Sequence, residues 1–273
     1  MTSNKIIAFR REAWRHYKRS GRHDLPWRKT TDPYKILVSE IMLQQTQVPR
    51  VIEKYKSFIK RFPNLRKLAD AKLSDVLKEW SGLGYNRRAK YLHDAAKEIV
   101  SKYKNVVPKD VIALRKLSGM GPYTASAVRV FAFDLPDILI ETNIRSVYIH
   151  HFFKDKRSVR DVDLIPIATK ASDGQDPRKW HWALMDYGSH LKRSGVRNNV
   201  QSKHYAKQSK FEGSLRQVRG QILRRLHQDP ATEQGINALR PRTTLGQTLL
   251  KKALAGLERD GLIKKGKGRW RIA

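Results

Sequence analysis

Cysteine is absent from this chain of 273 residues. The absence excludes disulfides, thiolate metal sites and iron–sulfur clusters held by cysteine. No apolar run reaches the length that spans a membrane, and residues 1–18 are charged and lack the apolar core of a signal peptide. We therefore expect a soluble cytoplasmic protein, associated with the nucleoid if the source is prokaryotic.

Acidic residues are scarce relative to basic ones, with 25 Asp and Glu against 57 Lys and Arg, which gives a net charge of +32. The basic residues occur along the whole chain rather than in one tail. Such an excess favours a polyanionic partner, most simply nucleic acid. A merely basic soluble protein and a membrane-surface binder are the alternatives that composition leaves open.

Apolar spacing predicts a mainly α-helical fold, with helices in 34–61 (bent or broken at Pro49), 64–80, 88–102, 163–171 and 180–191. We expect three regions: a helical domain over 1–191, a basic loop or linker over 192–213, and a winged-helix-like α/β domain over 214–273 that ends in a hairpin. The last region has 14 Lys and Arg against 4 Asp and Glu, a net charge of about +10. That charge favours contact with DNA over a purely structural role.

The segment from Leu117 to Ala125 is typical of a hairpin between two helices. Gly119 and Gly121 allow close approaches that side chains forbid, and Pro122 suits the first turn of a second helix. The N-terminus of such a helix presents N–H groups and a positive dipole end to a phosphate. An ordinary packing corner between two helices is the alternative.

Two carboxylates are candidates for catalysis. Glu40 lies in an apolar and amide-rich stretch, which favours the neutral form that a general acid needs. Glu141 lies 18 residues after Tyr123, between an apolar run and the start of a helix. A carboxylate there also offsets the positive end of a helix, so a structural role for Glu141 stays open.

Several motifs occur in one order: Pro26-Trp27-Arg28, Pro33-Tyr34, Ser39 to Val48, Arg61-Phe62-Pro63, Gly82-Leu83-Gly84-Tyr85, Leu117 to Gly121, and Met185-Asp186-Tyr187-Gly188. Together they resemble the MutY-like adenine DNA glycosylases of the helix-hairpin-helix superfamily. The resemblance covers roughly residues 20–191.

This resemblance implies a two-lobed helical domain that flips a nucleotide out of double-stranded DNA containing a mismatch or lesion. Glu40 matches the general acid that protonates the leaving adenine, and Glu141 aligns with the aspartate that stabilises the oxocarbenium charge. Tyr123 and Asn143 match pocket residues near that second carboxylate. The residues implied to form the base pocket and the wedge are Trp27, Arg28, Gln44, Gln45, Thr46, Leu83 and Tyr85. Those implied or inferred to contact the DNA backbone are Gly119, Gly121, Thr124, Lys192, Arg193 and Arg197.

The chain departs from the family pattern at three places. Glu141 replaces Asp, and one extra methylene moves a carboxylate by roughly 1.5 Å, a distance to which catalysis is sensitive. The four cluster cysteines are missing, with Lys192 in the place of the first, so we expect no cofactor and no metal. The C-terminal domain that helps to read 8-oxoguanine is replaced by residues 214–273.

We therefore expect a monomeric, monofunctional glycosylase that removes adenine opposite 8-oxoguanine or guanine. Related enzymes that cut the strand use a Lys at the position of Tyr123, and Tyr cannot form a Schiff base. A thymine or uracil glycosylase acting on mismatches with guanine is an alternative, since Glu40 and Tyr123 do not discriminate. A non-catalytic DNA-binding homologue is the third possibility.

Overall fold

The computed structural model describes residues 3–207, 210–241 and 246–273. In these ranges the chain is mainly helical with one small antiparallel sheet near its C-terminal end, which confirms the predicted fold class. Among the described residues no helix has both the length and the apolar character to cross a membrane.

The helices are α1 (Ser3–Ser20), α2 (Pro33–Leu43), α3 (Val48–Arg61), α4 (Leu65–Ala69), α5 (Leu73–Trp80), α6 (Arg87–Lys102), α7 (Val111–Lys116), α8 (Pro122–Phe133), α9 (Thr142–Phe152), α10 (Asp161–Ser172), α11 (Pro177–Arg193), α12 (Leu215–Gln228), α13 (Glu233–Asn237) and α14 (Gly246–Arg259). The strands are β1 (Ala231–Thr232), β2 (Ile263–Gly266) and β3 (Arg269–Ile272), and short 3₁₀ turns cover Pro26–Arg28 and Asn198–Gln201.

The chain divides into two units. The first comprises Met1–Leu37, Lys109–Arg115 and Met120–Lys207. The second comprises Val38–Pro108, Lys116–Gly119 and Gln208–Ala273.

Aromatic side chains form the core of the first unit. Helices α9 and α11 pack along each other and α1 packs on α11. The ring of Phe9 lies 5.5 Å from that of Tyr148 and 5.8 Å from that of Trp180, and all three are buried. The burial of these three rings joins α1 to α9, which Glu141 precedes, and to α11, which carries the Asp186 motif.

In the second unit, α4 and α5 pack on α6, and α12 packs on α14. Trp80 and Phe58 are fully buried, with ring centroids 6.0 Å apart. The C-terminal sheet has the order β1-β3-β2, with Ile263 opposite Ile272 and Lys265 opposite Trp270. The helices and basic hairpin expected over 214–273 are thus present, while the assignment as a winged-helix domain and the three-region division stay predictions.

Two of the predicted helices are divided. The helix over 34–61 is interrupted between Leu43 and Val48, and Pro49 lies in the first turn of α3, where a proline is tolerated. An unbroken helix over 64–80 is wrong, because α4 ends at Ala69 and α5 begins at Leu73. The N–H of Ala71 donates to the Leu68 carbonyl, and this tighter i to i−3 bond turns the chain out of the helix.

Candidate active site and DNA-contacting surfaces

The hairpin between α7 and α8 needs glycine at Gly119. Its φ is +76°, and a Cβ there would lie 2.7 Å from Cβ of Tyr91. Gly121 precedes α8 with an ordinary φ of −73°, and a Cβ there would meet nothing within 4 Å. Thr124 is buried in the first turn of α8. The three residues stay predicted backbone contacts.

Glu141 caps the N-terminus of α9. Its Oε1 accepts hydrogen bonds from the N–H groups of Asn143 and Ile144, each at 2.9 Å. Its Oε2 accepts a bond from the Asn143 side-chain amide at 3.1 Å. Burial raises the pKa of Glu141, although these hydrogen bonds and nearby Arg145 act in the opposite direction. The structural role left open by the sequence is therefore present, and the same contacts fix the carboxylate in one place.

Gly188 explains why α11 approaches the start of α9 so closely. A Cβ at Gly188 would overlap the carbonyl oxygen of Asn143. Any side chain at this position would push the backbone that carries Asn143 and adjoins Glu141. The glycine of the Met185 to Gly188 motif is thus a packing requirement at the candidate site.

Arg28 has a structural partner in the same motif. Its Nη1 and Nη2 donate to the two carboxylate oxygens of Asp186 at 2.7 and 2.9 Å, and Arg22 Nε donates to Asp186 at 2.6 Å. The side chains of Arg28 and Asp186 are 4% and 1% exposed. The guanidinium of Arg28 also lies 5.2 Å from the ring of Trp182. Trp27, the residue before Arg28, is also buried. A direct contact of Trp27 or Arg28 with a base stays a prediction.

Glu40 lies in α2, within the second unit. Each residue from Ile36 to Met42 is buried, and Glu40 itself is 7% exposed. A helix segment buried on every side is normally apolar, and a carboxyl group there is rare unless it is paired with another group. This placement supports the candidate general acid.

Two loops of the second unit carry the predicted wedge residues. Gln45 and Tyr85 are non-glycine residues with positive φ, +56° and +47°. Such conformations are sparsely populated and are concentrated at functional sites. Thr46 Oγ1 donates to the Leu83 carbonyl at 3.2 Å and so joins the loops. Gln45 is exposed, Gln44 and Tyr85 are half-buried, and Leu83 is buried at 3% exposure.

Arg88, which sequence reasoning missed, holds both loops in place. The five N–H groups of its guanidinium have seven acceptors within hydrogen-bonding distance, so some of these bonds are shared. Six acceptors are the carbonyls of Ile41, Met42, Gln44, Leu83, Gly84 and Tyr85, and one is the Thr46 hydroxyl. Burial lowers the pKa of Arg88 to about 10, so the group is charged at neutral pH. Three of the carbonyls lie at or just beyond the end of α2, where the helix dipole favours a cation.

The basic loop is held by backbone pairing. Lys192 and Arg193 are exposed in the last turn of α11, which extends to Arg193, and Arg197 is exposed just beyond it. Val159 N–H donates to the Gln201 carbonyl at 2.8 Å, and Lys203 N–H donates to the Val159 carbonyl at 2.9 Å.

A cysteine-ligated iron–sulfur cluster does not fit this chain. The sequence offers no thiolate ligand. In the ranges that the structure describes, no three His, Cys, Asp or Glu side chains are grouped to hold a metal ion. The segment that corresponds to the cluster loop is instead tied down through Val159.

Comparisons with known proteins find similarity to the same superfamily. Residues 38–165 match the model of the HhH-GPD superfamily base excision DNA repair proteins. The chain is 44% identical over 149 residues to the adenine DNA glycosylase of Mycolicibacterium smegmatis, covering 53% of this chain and 51% of that protein. It is 36% identical over 145 residues to the thymine-DNA glycosylase of Aeropyrum pernix, covering 53% and 65%. These matches confirm the resemblance that the motifs indicate.

The fold also resembles a solved structure of a thermostable thymine-DNA glycosylase. The TM-score is 0.61 at 24% identity, over 74% of this chain and 97% of that chain. At this identity the likeness supports the fold alone. The chain spans about half, or less, of the length of the curated adenine DNA glycosylases it matches first.

Proposed function

We propose that this chain, whose residues 38–165 carry a helix-hairpin-helix base-excision repair domain, is a DNA glycosylase that releases adenine mispaired with 8-oxoguanine or guanine. The observation that carries the proposal is the carboxyl group of Glu40, which is buried in α2 and is the one charged side chain among residues 36–42. The similarity to adenine DNA glycosylases indicates that the nucleobase released is adenine.

Hydrolysis breaks the bond between C1′ of the sugar and the base. The base leaves with a proton from the general acid. A water oxygen then bonds to C1′, and the proton that this water loses restores the acid. Glu40 is the group suited to donate that proton, because it is a carboxyl group buried in α2 at the position that the resemblance gives to the general acid. Glu141 is the group suited to stabilise the positive charge on the sugar, because three hydrogen bonds fix its carboxylate.

Tyr123 makes the enzyme monofunctional in this proposal. A phenol cannot form the Schiff base through which a lysine nucleophile leads to strand cleavage. Borohydride added during turnover should therefore trap no covalent protein–DNA complex. A trapped complex would contradict the assignment.

The partner in this proposal is double-stranded DNA, bound by a monomer without a cofactor. Phosphates are bound by two parts of the chain. One is the hairpin around Gly119 and Gly121, and the other is the set of exposed cations Lys192, Arg193 and Arg197. Changing the three cations to Ala should weaken binding at low salt and make the slope of log K against log salt shallower, by about 0.9 for each phosphate that the protein no longer neutralises. An unchanged slope would exclude the basic loop from the interface.

A thymine or uracil glycosylase is the second candidate, favoured by the similarity to a thymine-DNA glycosylase. Single-turnover base release from A:8-oxoguanine, A:G, T:G and U:G duplexes, with and without alkali, separates the two. Release of adenine with strand breaks only after alkali is the expected result. Release of thymine or uracil would transfer the chain to the second candidate, and tight binding without release would favour a binding protein.

A further inference from the structure

A cavity of about 840 Å³ lies within the second unit, beside the two loops that Arg88 holds. One wall is formed by residues of the Gln44 to Gln47 and Ser81 to Arg88 segments. The other wall is formed by α12 and by Arg259 and Asp260 at the end of α14. The C-terminal helices thus complete a cavity that the loops alone would leave open.

The lining is strongly basic and suits a polyanion. The described residues that line the cavity include seven arginines and one carboxylate, Asp260. That carboxylate accepts a short hydrogen bond from Arg219, at 2.5 Å, and lies 3.5 Å from Arg87. These interactions join α12, α14 and the start of α6, and leave a net positive charge in the cavity.

Tyr85 and Arg216 meet at the boundary between the two walls. Arg216 Nη1 donates to the Tyr85 hydroxyl at 2.9 Å, and the guanidinium carbon lies 5.5 Å from the tyrosine ring. Arg88 lies at 5.5 Å from the same ring. The half-buried ring of Tyr85 is therefore held by two cations in its left-handed backbone conformation.

An unpaired nucleotide has the chemistry that this cavity accepts. Its base needs an aromatic or guanidinium plane for stacking and hydrogen-bonding groups for its edges, and its phosphate needs cations. The cavity offers Tyr85, the amides of Gln44 and Gln45, and the arginines. When a glycosylase flips its target base, the nucleotide of the opposite strand is left unpaired in the duplex.

We propose that this cavity binds the nucleotide opposite the excised base, and that Arg216 selects a base with a 6-keto group, guanine or 8-oxoguanine. The inference rests on the proposed function for the identity of the DNA. A guanidinium has five N–H donors and no acceptor, so one can contact a keto oxygen while another is bonded to Tyr85. At the position that matches the keto group, cytosine and adenine carry an amino donor, which a guanidinium cannot pair, so this one contact is lost with both bases.

The test measures binding without base release. Fluorescein-labelled duplexes carry a tetrahydrofuran abasic analogue opposite guanine, 8-oxoguanine, cytosine or adenine, and fluorescence anisotropy gives each Kd. The proteins are the full wild-type chain, Arg216→Ala, Arg216→Lys and Lys251→Ala. Lys251 is exposed on α14 and does not line the cavity, so its change is a matched removal of one positive charge.

The wild type should bind the two keto duplexes about tenfold more tightly than the two amino duplexes. Arg216→Ala should bring the ratio close to one, and Arg216→Lys, which keeps the charge, should retain only part of the ratio. Lys251→Ala should change all four affinities by one common factor. Thermal unfolding of each variant establishes that it is folded.

A uniform weakening of all four duplexes in Arg216→Ala would reduce Arg216 to a phosphate-binding side chain and overturn the proposal, as would a wild type without base preference. Failure of the proposed function gives a different pattern. If adenine is not released but the keto preference exists and depends on Arg216, the proposed site for the opposite base is supported and the proposed adenine excision is wrong. If adenine is released and binding ignores the opposite base, this inference alone falls.

Discussion

Replacing Arg88 by Leu removes the cation that ties the Gln45 loop to the Tyr85 loop. The hydrogen bonds of its five N–H groups to seven acceptors disappear, and six carbonyl groups are left without that donor. The cation–π interaction with the ring of Trp80, 5.3 Å from the guanidinium, disappears as well. Leucine fills part of the volume and restores none of the donors.

The expected decrease in the free energy of unfolding is about 3 to 5 kcal/mol. A hydrogen bond to a charged group contributes about 1.5 to 3 kcal/mol, and a buried acceptor left without a donor costs about 1 to 3 kcal/mol. These contributions are not additive, because the loops carrying Gln44 and Gly84 are partly exposed and water reaches some of the freed carbonyls. Arg88→Lys keeps the charge with three donors in place of five, so about half of the decrease is expected.

Urea unfolding followed by circular dichroism measures the change, with the m-value compared to test that the transition is unaltered in type. Arg87→Leu is the matched control. Arg87 is the next residue before Arg88 on α6, its side chain is 56% exposed, and its ion pair with Asp260 is long at 3.5 Å. This control should cost less than about 1 kcal/mol. A decrease below about 1 kcal/mol for Arg88→Leu, or equal decreases for both variants, would refute the role of Arg88.

Three further predictions concern the first unit. Gly188→Ala should lower the free energy of unfolding by about 1 to 3 kcal/mol and slow base release, because its Cβ would strike the Asn143 carbonyl; unchanged urea midpoint and rate would exclude that close approach. Glu141→Asp should keep the helix cap but slow single-turnover release by about 10²-fold, since the carboxylate moves by roughly 1.5 Å; a faster variant would show that the longer side chain is a handicap. Burial alone would raise the pKa of Asp186, but Arg28 and Arg22 outweigh burial and hold that pKa below its usual range. The ion pair therefore stabilises the fold at a pH above the pKa that Asp186 has in the unfolded chain. This contribution disappears as the pH falls through the pKa that Asp186 has in the folded protein. Asp186→Asn should therefore cost about 3 kcal/mol at pH 7 and progressively less as the pH falls into the acid range in urea titrations, and a pH-independent difference would contradict the ion pair.

The sequence predicted those features that depend on local pattern. The helical spacing, the glycine of the hairpin at Gly119 and the basic hairpin near the C-terminal end all rest on neighbouring residues, and the structure contains them. The helix over 34–61 is also broken, but between Leu43 and Val48 rather than at Pro49. The apolar spacing over 64–80 predicted one helix where the structure has two, because the turn between α4 and α5 keeps the apolar residues on the buried side.

What the sequence did not show are interactions between residues far apart in the chain. Arg88 bonds to carbonyls that lie more than 40 positions earlier, and Arg28 pairs with Asp186 at a separation of 158. Such partners have no period in the sequence, so an arginine inside a basic chain is not distinguishable from a surface arginine. The same holds for Arg216, whose position beside Tyr85 depends on the packing of the C-terminal helices within the second unit.

The central claim is that the buried carboxyl of Glu40 gives the proton that releases adenine. It is tested most directly by single-turnover adenine release from an A:8-oxoguanine duplex by the wild type and Glu40→Gln, with anisotropy measuring the Kd of each for the same duplex. We expect the wild type to release adenine, and we expect Glu40→Gln to decrease the rate by about 10²-fold or more while its Kd stays within a few-fold of wild type. An unchanged rate in the variant, or no release of adenine by the wild type, would contradict this claim.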